Sequence, residues 1–185
     1  MRMIYNTATS LSGYIADEDS SLAWLFAVDA EQVPDHDAFL AGIGVLISGS
    51  TTYEWVLREE DLVAHPEKWP AYYGDRPYYV FTTRDLPVPA GADVRFVRGD
   101  VRDALPTIRE AAGDRDAWVV GGGDLAGQLL DVGALDEVQL SVAPAALTGG
   151  APVLPRRVGP DRLRLRDVQR YGQFAHLVYD VLPVG

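Results

Sequence analysis

The sequence of 185 residues contains no cysteine, which excludes a disulfide framework, a cysteine-based zinc site, an iron–sulfur cluster and a thiolate nucleophile. Basic charge is also scarce, because 16 Lys and Arg stand against 27 Asp and Glu and the formal net charge is -11. Nucleic acids are held by clustered basic side chains, so we expect no nucleic-acid partner. The three histidines are scattered along the chain, and no metal site is predicted.

Long apolar runs are absent as well. No run approaches the roughly 18 residues that would span a bilayer, and the first residues do not resemble a signal peptide. We therefore expect a cytoplasmic protein without a membrane partner. The length predicts a single domain over residues 1–185, large enough to form a hydrophobic core without disulfides or a structural metal. The motifs G-x-x-x-x-G-K, G-x-S-x-G and H-E-x-x-H do not occur, which disfavours a hydrolase or a transferase.

Short apolar runs alternate with helical segments along the chain. The predicted strands cover residues 3–9, 45–47, 78–82, 94–97, 118–120 and 138–142, and the predicted helices cover residues 35–41, 101–112 and 124–132. A further helix begins at Thr51, where Glu54 completes the spacing of a capping box. Residues 10–24 form a long loop that is a candidate lid. The last two strands, residues 163–171 and 175–182, predict an antiparallel pair appended to a mostly parallel sheet covered on both faces.

Three predicted strand ends carry glycine or small polar residues. They are Gly121-Gly122-Gly123-Asp124, Gly49-Ser50-Thr51-Thr52 and Thr82-Thr83-Arg84. Ligands bind at the carboxyl ends of parallel strands, where backbone N–H groups and a positive helix end can hold a phosphate. Each motif alone has a simpler interpretation, namely a tight turn, an ordinary N-cap and a surface arginine. Their joint occurrence predicts one extended nucleotide.

With these motifs the sequence resembles the dihydrofolate reductase fold, and within it the ribosylaminopyrimidine reductase domain of riboflavin biosynthesis and its stand-alone relatives. The resemblance covers nearly the whole chain and includes residues 10–16, 46–54, 119–125, 129–137, 140–144 and 147–154. It implies a three-layer α/β/α fold with a central mixed sheet, and an NADPH-dependent reductase that transfers hydride to a small pterin-like or pyrimidine-like heterocycle. It also implies a homodimer.

The same resemblance implies where the cofactor lies, with the nicotinamide against Ala8, the pyrophosphate at the two glycine-containing strand ends and the adenosine phosphate near Arg84. The implied cofactor-binding residues are Ala8, Gly49, Ser50, Thr51, Thr52, Thr82, Thr83, Arg84, Val120, Gly121, Gly122, Gly123, Asp124 and Leu125. Relatives often carry arginine or lysine in place of Ser50, so NADH remains open beside NADPH. Many carry an acidic residue in place of Ser12. These two departures motivate the alternative of a non-catalytic nucleotide-binding module that kept the fold.

On the substrate side, the resemblance implies that Asp37 is the carboxylate that binds the heterocycle and that Ser141 is the strand hydroxyl paired with it. Water or Asp37 would supply the proton. Asn6, Trp24 and Tyr53 are candidates for the substrate pocket. Asp37 has a simpler interpretation as an acidic residue favoured at a helix N-terminus, and Ser141 as an ordinary strand serine. Trp24 and Tyr53 have a simpler interpretation as aromatic core residues.

Overall fold

The computed structural model describes residues 1–29 and 34–183. Within these ranges strands and helices alternate along the chain, as the apolar runs predict. The strands are β1 (Met3–Ser10), β2 (Tyr14–Ala16), β3 (Ile43–Gly49), β4 (Tyr78–Phe81), β5 (Val94–Val97), β6 (Asp116–Gly121), β7 (Glu137–Ala143), β8 (Ala151–Pro152), β9 (Leu163–Tyr171) and β10 (Phe174–Val181). The α-helices are α1 (Ala23–Phe26), α2 (His36–Ala41), α3 (Ser50–Glu59), α4 (Trp69–Tyr73), α5 (Val101–Ala112) and α6 (Gly123–Asp131).

Eight strands form one sheet in the order β5-β4-β3-β6-β1-β7-β10-β9. The neighbours from β5 to β7 are parallel, whereas β10 runs antiparallel to both β7 and β9. The predicted fold class, an α/β fold with a mostly parallel sheet and antiparallel C-terminal strands, is confirmed. Strands β2 and β8 pair separately as a small second sheet.

Two apolar clusters cover the two faces of the sheet. One contains Val45 and Ile47 of β3 together with Ile108 of α5 and Leu129 of α6. The other contains Leu46 of the same strand together with residues of α3 and α4. Because successive side chains of a strand point to opposite faces, a strand covered on both sides must be apolar without interruption. This explains why β3 is a continuous apolar run.

The N-termini of the helices differ in a way that bears on function. The side chain of Asp35 caps α2 by accepting a hydrogen bond from Ala38 N at 2.9 Å, and Asp100 caps α5 by accepting one from Arg102 N at 2.8 Å. Helix α3 begins at Ser50 with Gly49 as its N-cap, so the prediction of Thr51 as N-cap is wrong. The N-cap lies two residues earlier than predicted because α3 follows directly from the end of β3.

The segment that was predicted as a candidate lid is anchored to the rest of the chain. The hydroxyl oxygen of Ser12 accepts a hydrogen bond from Leu147 N, and the hydroxyl also contacts Leu147 O, both at 2.8 Å. The pairing of β2 with β8 fixes the next residues. Ser12 therefore fastens the loop to the segment after β7.

Candidate active site

The sheet opens between its two central strands. The pairing of β1 with β6 ends at Tyr5 and Val119. Beyond that point β1 continues beside β7 up to Ser10, and β6 continues beside β3 up to Gly121. The carboxyl ends of β1 and β6 therefore separate. A gap of this kind at the carboxyl ends of parallel strands is where α/β sheets bind ligands.

A cleft of about 760 Å³, which we call the central cleft, occupies this position. It brings together two of the predicted strand ends, residues 49–52 and 120–125, with Thr7 of β1 and Phe81 of β4. The remaining lining residues are Ile15, Ala16, Ser20, Leu22, Glu54, Trp55, Val56, Arg58, Gln128, Ala151, Pro152 and Pro155. The sequence motifs at these two strand ends, far apart along the chain, thus face one volume.

Helices α3 and α6 both begin at the central cleft. Their N-cap residues are Gly49 and Gly122, and neither helix has a side-chain cap. The first N–H groups of a helix have no partner within it and carry partial positive charge. Two helix N-termini that lack side-chain caps and line the same cleft therefore form a site suited to an anion such as a pyrophosphate.

The three glycines at the start of α6 have different reasons to be glycine. A Cβ at Gly121 would lie 2.8 Å from Thr52 Oγ1, and a Cβ at Gly123 would lie 2.3 Å from the carbonyl oxygen of Pro152. Packing alone therefore excludes a side chain at these two positions. A Cβ at Gly122 would meet nothing closer than Thr52 Oγ1 at 3.7 Å. Gly122 lines the cleft, so its missing side chain leaves room for a ligand.

Residues 82–84, the third predicted strand end, are not among the residues that line the cleft, and they contact it through Arg84. Arg84 makes a bidentate ion pair with Glu54, with Nη1 to Oε1 at 3.0 Å and Nη2 to Oε2 at 2.5 Å. Its backbone N–H donates to Thr82 Oγ1 at 3.0 Å, which occupies that hydroxyl, while Thr83 is exposed. Glu54 lines the cleft and does not reach back to a helix N-cap, so the predicted capping box is absent.

Asp124 brings a negative charge to the first turn of α6. Gln128 Nε2 donates to its carboxylate at 2.8 Å, and Arg156 Nη1 donates to it at 3.0 Å. These hydrogen bonds lower the pKa of Asp124, so the carboxylate is ionised at neutral pH. Arg156 offsets this charge beside the cleft.

Asn6 and Ser141, expected on the substrate side, and Ala8, expected at the nicotinamide, lie on the neighbouring strands β1 and β7 and are not among the residues that line the central cleft. Ala8 is the register partner of Ser141, and Asn6 O accepts a hydrogen bond from Trp118 Nε1 at 3.0 Å. The hydroxyl of Ser141 lies 3.0 Å from Nδ1 of His176 and, among residues 1–29 and 34–183, makes no hydrogen bond with a carboxylate, so the expected pairing with Asp37 is absent. Asp37 itself is exposed in the first turn of α2 and does not line the cleft, as its alternative interpretation expects.

The two aromatic residues predicted for the substrate pocket, Tyr53 and Trp24, do not line the central cleft. Tyr53 is fully buried, and its hydroxyl donates to Pro87 O at 2.8 Å, so it is a core residue and not a pocket wall. Burial also raises the pKa of its hydroxyl. Trp24 does not line the cleft, and its buried indole N–H has no partner within residues 1–29 and 34–183.

The structure adds Trp55 and Arg58 of α3 to the cleft wall. A smaller pocket of about 480 Å³ shares both residues, and there Phe26 stacks on Trp55 with ring centroids 6.1 Å apart. Thr51, Trp55 and Glu59 recur every four residues and mark one helix face, and Arg58 lies three residues after Trp55 on that face. This spacing could have identified Trp55 and Arg58 from the sequence. No cluster of three or more metal-ligating side chains occurs in the described ranges. The same ranges hold no helix long and apolar enough to cross a membrane.

Similar structures define the class of protein. The chain aligns with a riboflavin biosynthesis protein of Shewanella sp. (TM-score 0.78, 24% identity, 99% of this chain and 100% of that chain). It also aligns with the diaminohydroxyphosphoribosylaminopyrimidine deaminase/5-amino-6-(5-phosphoribosylamino)uracil reductase of Thermotoga maritima (TM-score 0.68, 15%, 98% and 56%). Dihydrofolate reductase of Enterococcus faecalis, complexed with NADP(H), gives a TM-score of 0.60 at 14% identity over 97% and 96%. The chain has a dihydrofolate reductase-like fold.

Sequence comparison defines the family within this class. The RibD C-terminal domain model matches residues 2–177. The protein YwjB of Bacillus subtilis is 30% identical over 172 residues, which are 93% of each chain. The chain belongs to the RibD C-terminal domain family.

Proposed function

We propose that this protein is an NAD(P)H-dependent reductase that transfers hydride to a small heterocyclic substrate, pterin-like or pyrimidine-like. The observation that carries the proposal is the convergence of two helix N-termini without side-chain caps on one cleft, beside the gap between β1 and β6. The fold supports it, since a structural relative is a dihydrofolate reductase complexed with NADP(H).

In this proposal the chain binds and orients, and the reduced nicotinamide supplies the hydride. The N–H groups of residues 50–52 and 123–125 hold the pyrophosphate. Thr7 and Ala8 border the gap that takes the nicotinamide, and Ser141 lies beside it on β7. A flat substrate on the β7 side of the gap then contacts the nicotinamide ring next to the Ser141 hydroxyl.

The binding step is tested by titrating the protein with NADPH and with NADH while following tryptophan fluorescence. We expect saturable quenching, because Trp55 lines the cleft. Gly122→Val should abolish it, since the added side chain would occupy space next to the two helix N-termini. Gly42→Val is the matched control, because Gly42 is exposed at the end of α2 with a φ of -80°, and an added Cβ would lie at an ordinary 3.5 Å from Phe39 O. No binding of either cofactor at millimolar concentration would overturn the proposal.

Turnover is tested by following cofactor oxidation with a panel of pterins, pyrimidines and quinones. Oxidation of the cofactor by a heterocycle supports the reductase. Tight binding without oxidation by any member of the panel would favour the alternative, a non-catalytic nucleotide-binding module.

Assembly as a homodimer is part of the proposal. Strand β9 is an edge strand of the sheet, and Leu165 and Val168 on it are 51% and 56% exposed. Exposed edge strands with apolar side chains are sites where a second chain can pair. Light scattering coupled to gel filtration should give twice the mass of the chain; a monomer at micromolar concentration would contradict this assembly.

A further inference from the structure

The direction in which a dinucleotide crosses the cleft follows from the order of the strands. The cleft is lined in turn by Thr7 of β1, Gly121 of β6, Gly49 of β3 and Phe81 of β4. The two helix N-termini lie in the middle of this series, and the gap between β1 and β6 lies at one end. A pyrophosphate held in the middle therefore sends one nucleoside into the gap and the other toward β4.

Glu54 and Arg84 are the charged side chains that contact the cleft at the β4 end. Asp85 and Arg98, which follow β4 and β5, form a second ion pair at 2.7 Å that adds no net charge. Glu54 lies one helical turn after Ser50, and neighbours at this spacing share a helix face. Both of its carboxylate oxygens are bonded to the guanidinium of Arg84. The pair has no net charge, and Ser50 adds none. Arg58 also lines the cleft, one helical turn beyond Glu54, and so lies farther from the N-terminus of α3 than the Glu54–Arg84 pair does.

This arrangement treats the two nicotinamide cofactors differently. A phosphate monoester carries about two negative charges at neutral pH. A 2′-phosphate that binds Arg84, whether it shares the guanidinium with Glu54 or displaces Glu54 from it, lies beside a carboxylate, which costs like-charge repulsion. A free ribose 2′-hydroxyl instead donates a hydrogen bond to the carboxylate, as acidic residues at the ribose do in other NAD sites.

We propose that Glu54, held in place by Arg84, selects NADH over NADPH in this protein. The inference rests on the proposed function, because it concerns the same cofactor site. It departs from the NADPH expected by resemblance, and it assigns Glu54, an acidic residue that the sequence motifs place only in a capping box, to cofactor specificity.

The test compares the affinities of NADH and NADPH, measured by the same fluorescence titration, in four proteins. The wild type should bind NADH about fivefold more tightly, a modest preference because the pair is 54% exposed at Arg84 and 37% exposed at Glu54. Glu54→Gln should reverse the preference, since it removes the carboxylate and frees Arg84 for the phosphate. Arg84→Gln should weaken NADPH further and leave NADH nearly unchanged.

Glu110→Gln is the matched control, because it makes the same change of charge at an exposed position on α5, which packs on the opposite face of the sheet. Its ratio of affinities should equal that of the wild type. The wild-type preference should also shrink with added salt, since exposed charges are screened. Thermal melting of each variant verifies folding, and Arg84→Gln gives an independent answer should Glu54→Gln fail to fold.

The outcomes separate the two proposals. Failure of the wild type to bind either cofactor overturns the proposed function together with this inference. Binding of both cofactors with equal affinity, or a preference for NADPH, overturns the inference and leaves the proposed function standing. An unchanged ratio of NADH to NADPH affinity in Glu54→Gln would also overturn the inference and leave the proposed function standing, because other residues would then set the preference.

Discussion

The Oγ of Ser141 lies 3.0 Å from Nδ1 of His176, across the antiparallel pair β7 and β10. His176 is 8% exposed, and the ring of Tyr171 contacts it edge to face. Burial lowers the pKa of His176, although the negative charges of Asp167 and Glu137 act in the opposite direction. The imidazole is therefore neutral at pH 7, and it takes up a proton next to Ser141 only at a lower pH.

This pair makes the stability of the fold depend on pH near neutrality. The unfolded chain binds a proton at an ordinary pKa of about 6.5, and the folded chain binds it only at a lower pH. Stability is therefore complete above about pH 6.5 and decreases as the pH falls toward the folded pKa. The free energy of unfolding, measured with urea at pH 7.5 and 5.5, should fall less in His176→Gln than in the wild type.

His65→Gln is the control for that measurement, because the His65 side chain is 53% exposed and contacts the exposed carboxylates of Asp61 and Glu67 at the surface. Its pH dependence should match that of the wild type. An equal loss of unfolding free energy between pH 7.5 and 5.5 in the wild type and in His176→Gln would show that burial does not lower the pKa of His176.

Glu137 is a buried carboxylate that holds the opposite end of the sheet together. It is 1% exposed and accepts hydrogen bonds from Arg2 at 2.6 Å and from Arg166 at 2.8 Å. Removing one partner of a buried ion pair leaves uncompensated charge, so Glu137→Ala should lower the free energy of unfolding by about 3 kcal/mol. Asp180→Ala, which removes a more exposed partner of the same Arg166, should cost less than about 1 kcal/mol. Urea denaturation measures both, and equal losses would contradict the role of burial.

The sequence predicts most of the fold because its signals are local. Apolar runs mark the strands, and Asp100 with the apolar spacing of α5 marks that helix. The position of the strand ends at one edge of the sheet also follows, because parallel strands bring their carboxyl ends to the same edge. These features bring residues 49–52 and 120–125 together at the central cleft, as the motifs indicate.

The remaining features of the site depend on contacts between distant residues. Arg84 and Glu54 are 30 positions apart, and Ser141 and His176 are 35 apart. The second contact requires the register between β7 and β10, which no local pattern specifies. Tyr53 was misplaced for a related reason: the start of α3 at Ser50 and its packing on β4 decide which helix face is buried. Tertiary packing, and not the type of residue, sets its direction.

Gly44 allows α5 to approach the sheet closely. A Cβ at this position would lie 2.4 Å from the carbonyl oxygen of Ala112, a backbone atom that cannot move aside on its own. Gly44→Ala should therefore destabilise the fold by about 2 kcal/mol through overpacking. Gly42→Ala, where the added Cβ lies at an ordinary 3.5 Å from Phe39 O, is the matched control and should change stability by less than about 0.5 kcal/mol. Thermal unfolding followed by circular dichroism measures both, and a stable Gly44→Ala would mean that α5 shifts without cost.

Trp55 should report cofactor binding more strongly than the other tryptophans, because it lines both the central cleft and the smaller pocket. Trp55→Phe keeps an aromatic ring against Phe26 and should remove most of the fluorescence quenching caused by NADH. Trp69→Phe should keep that quenching, since Trp69 is 2% exposed and packs from α4 into the apolar cluster on that face of the sheet. Calorimetric titration of Trp55→Phe should still detect binding, which separates loss of the signal from loss of the ligand. If Trp69→Phe loses the quenching while Trp55→Phe retains it, the ligand does not lie in the central cleft.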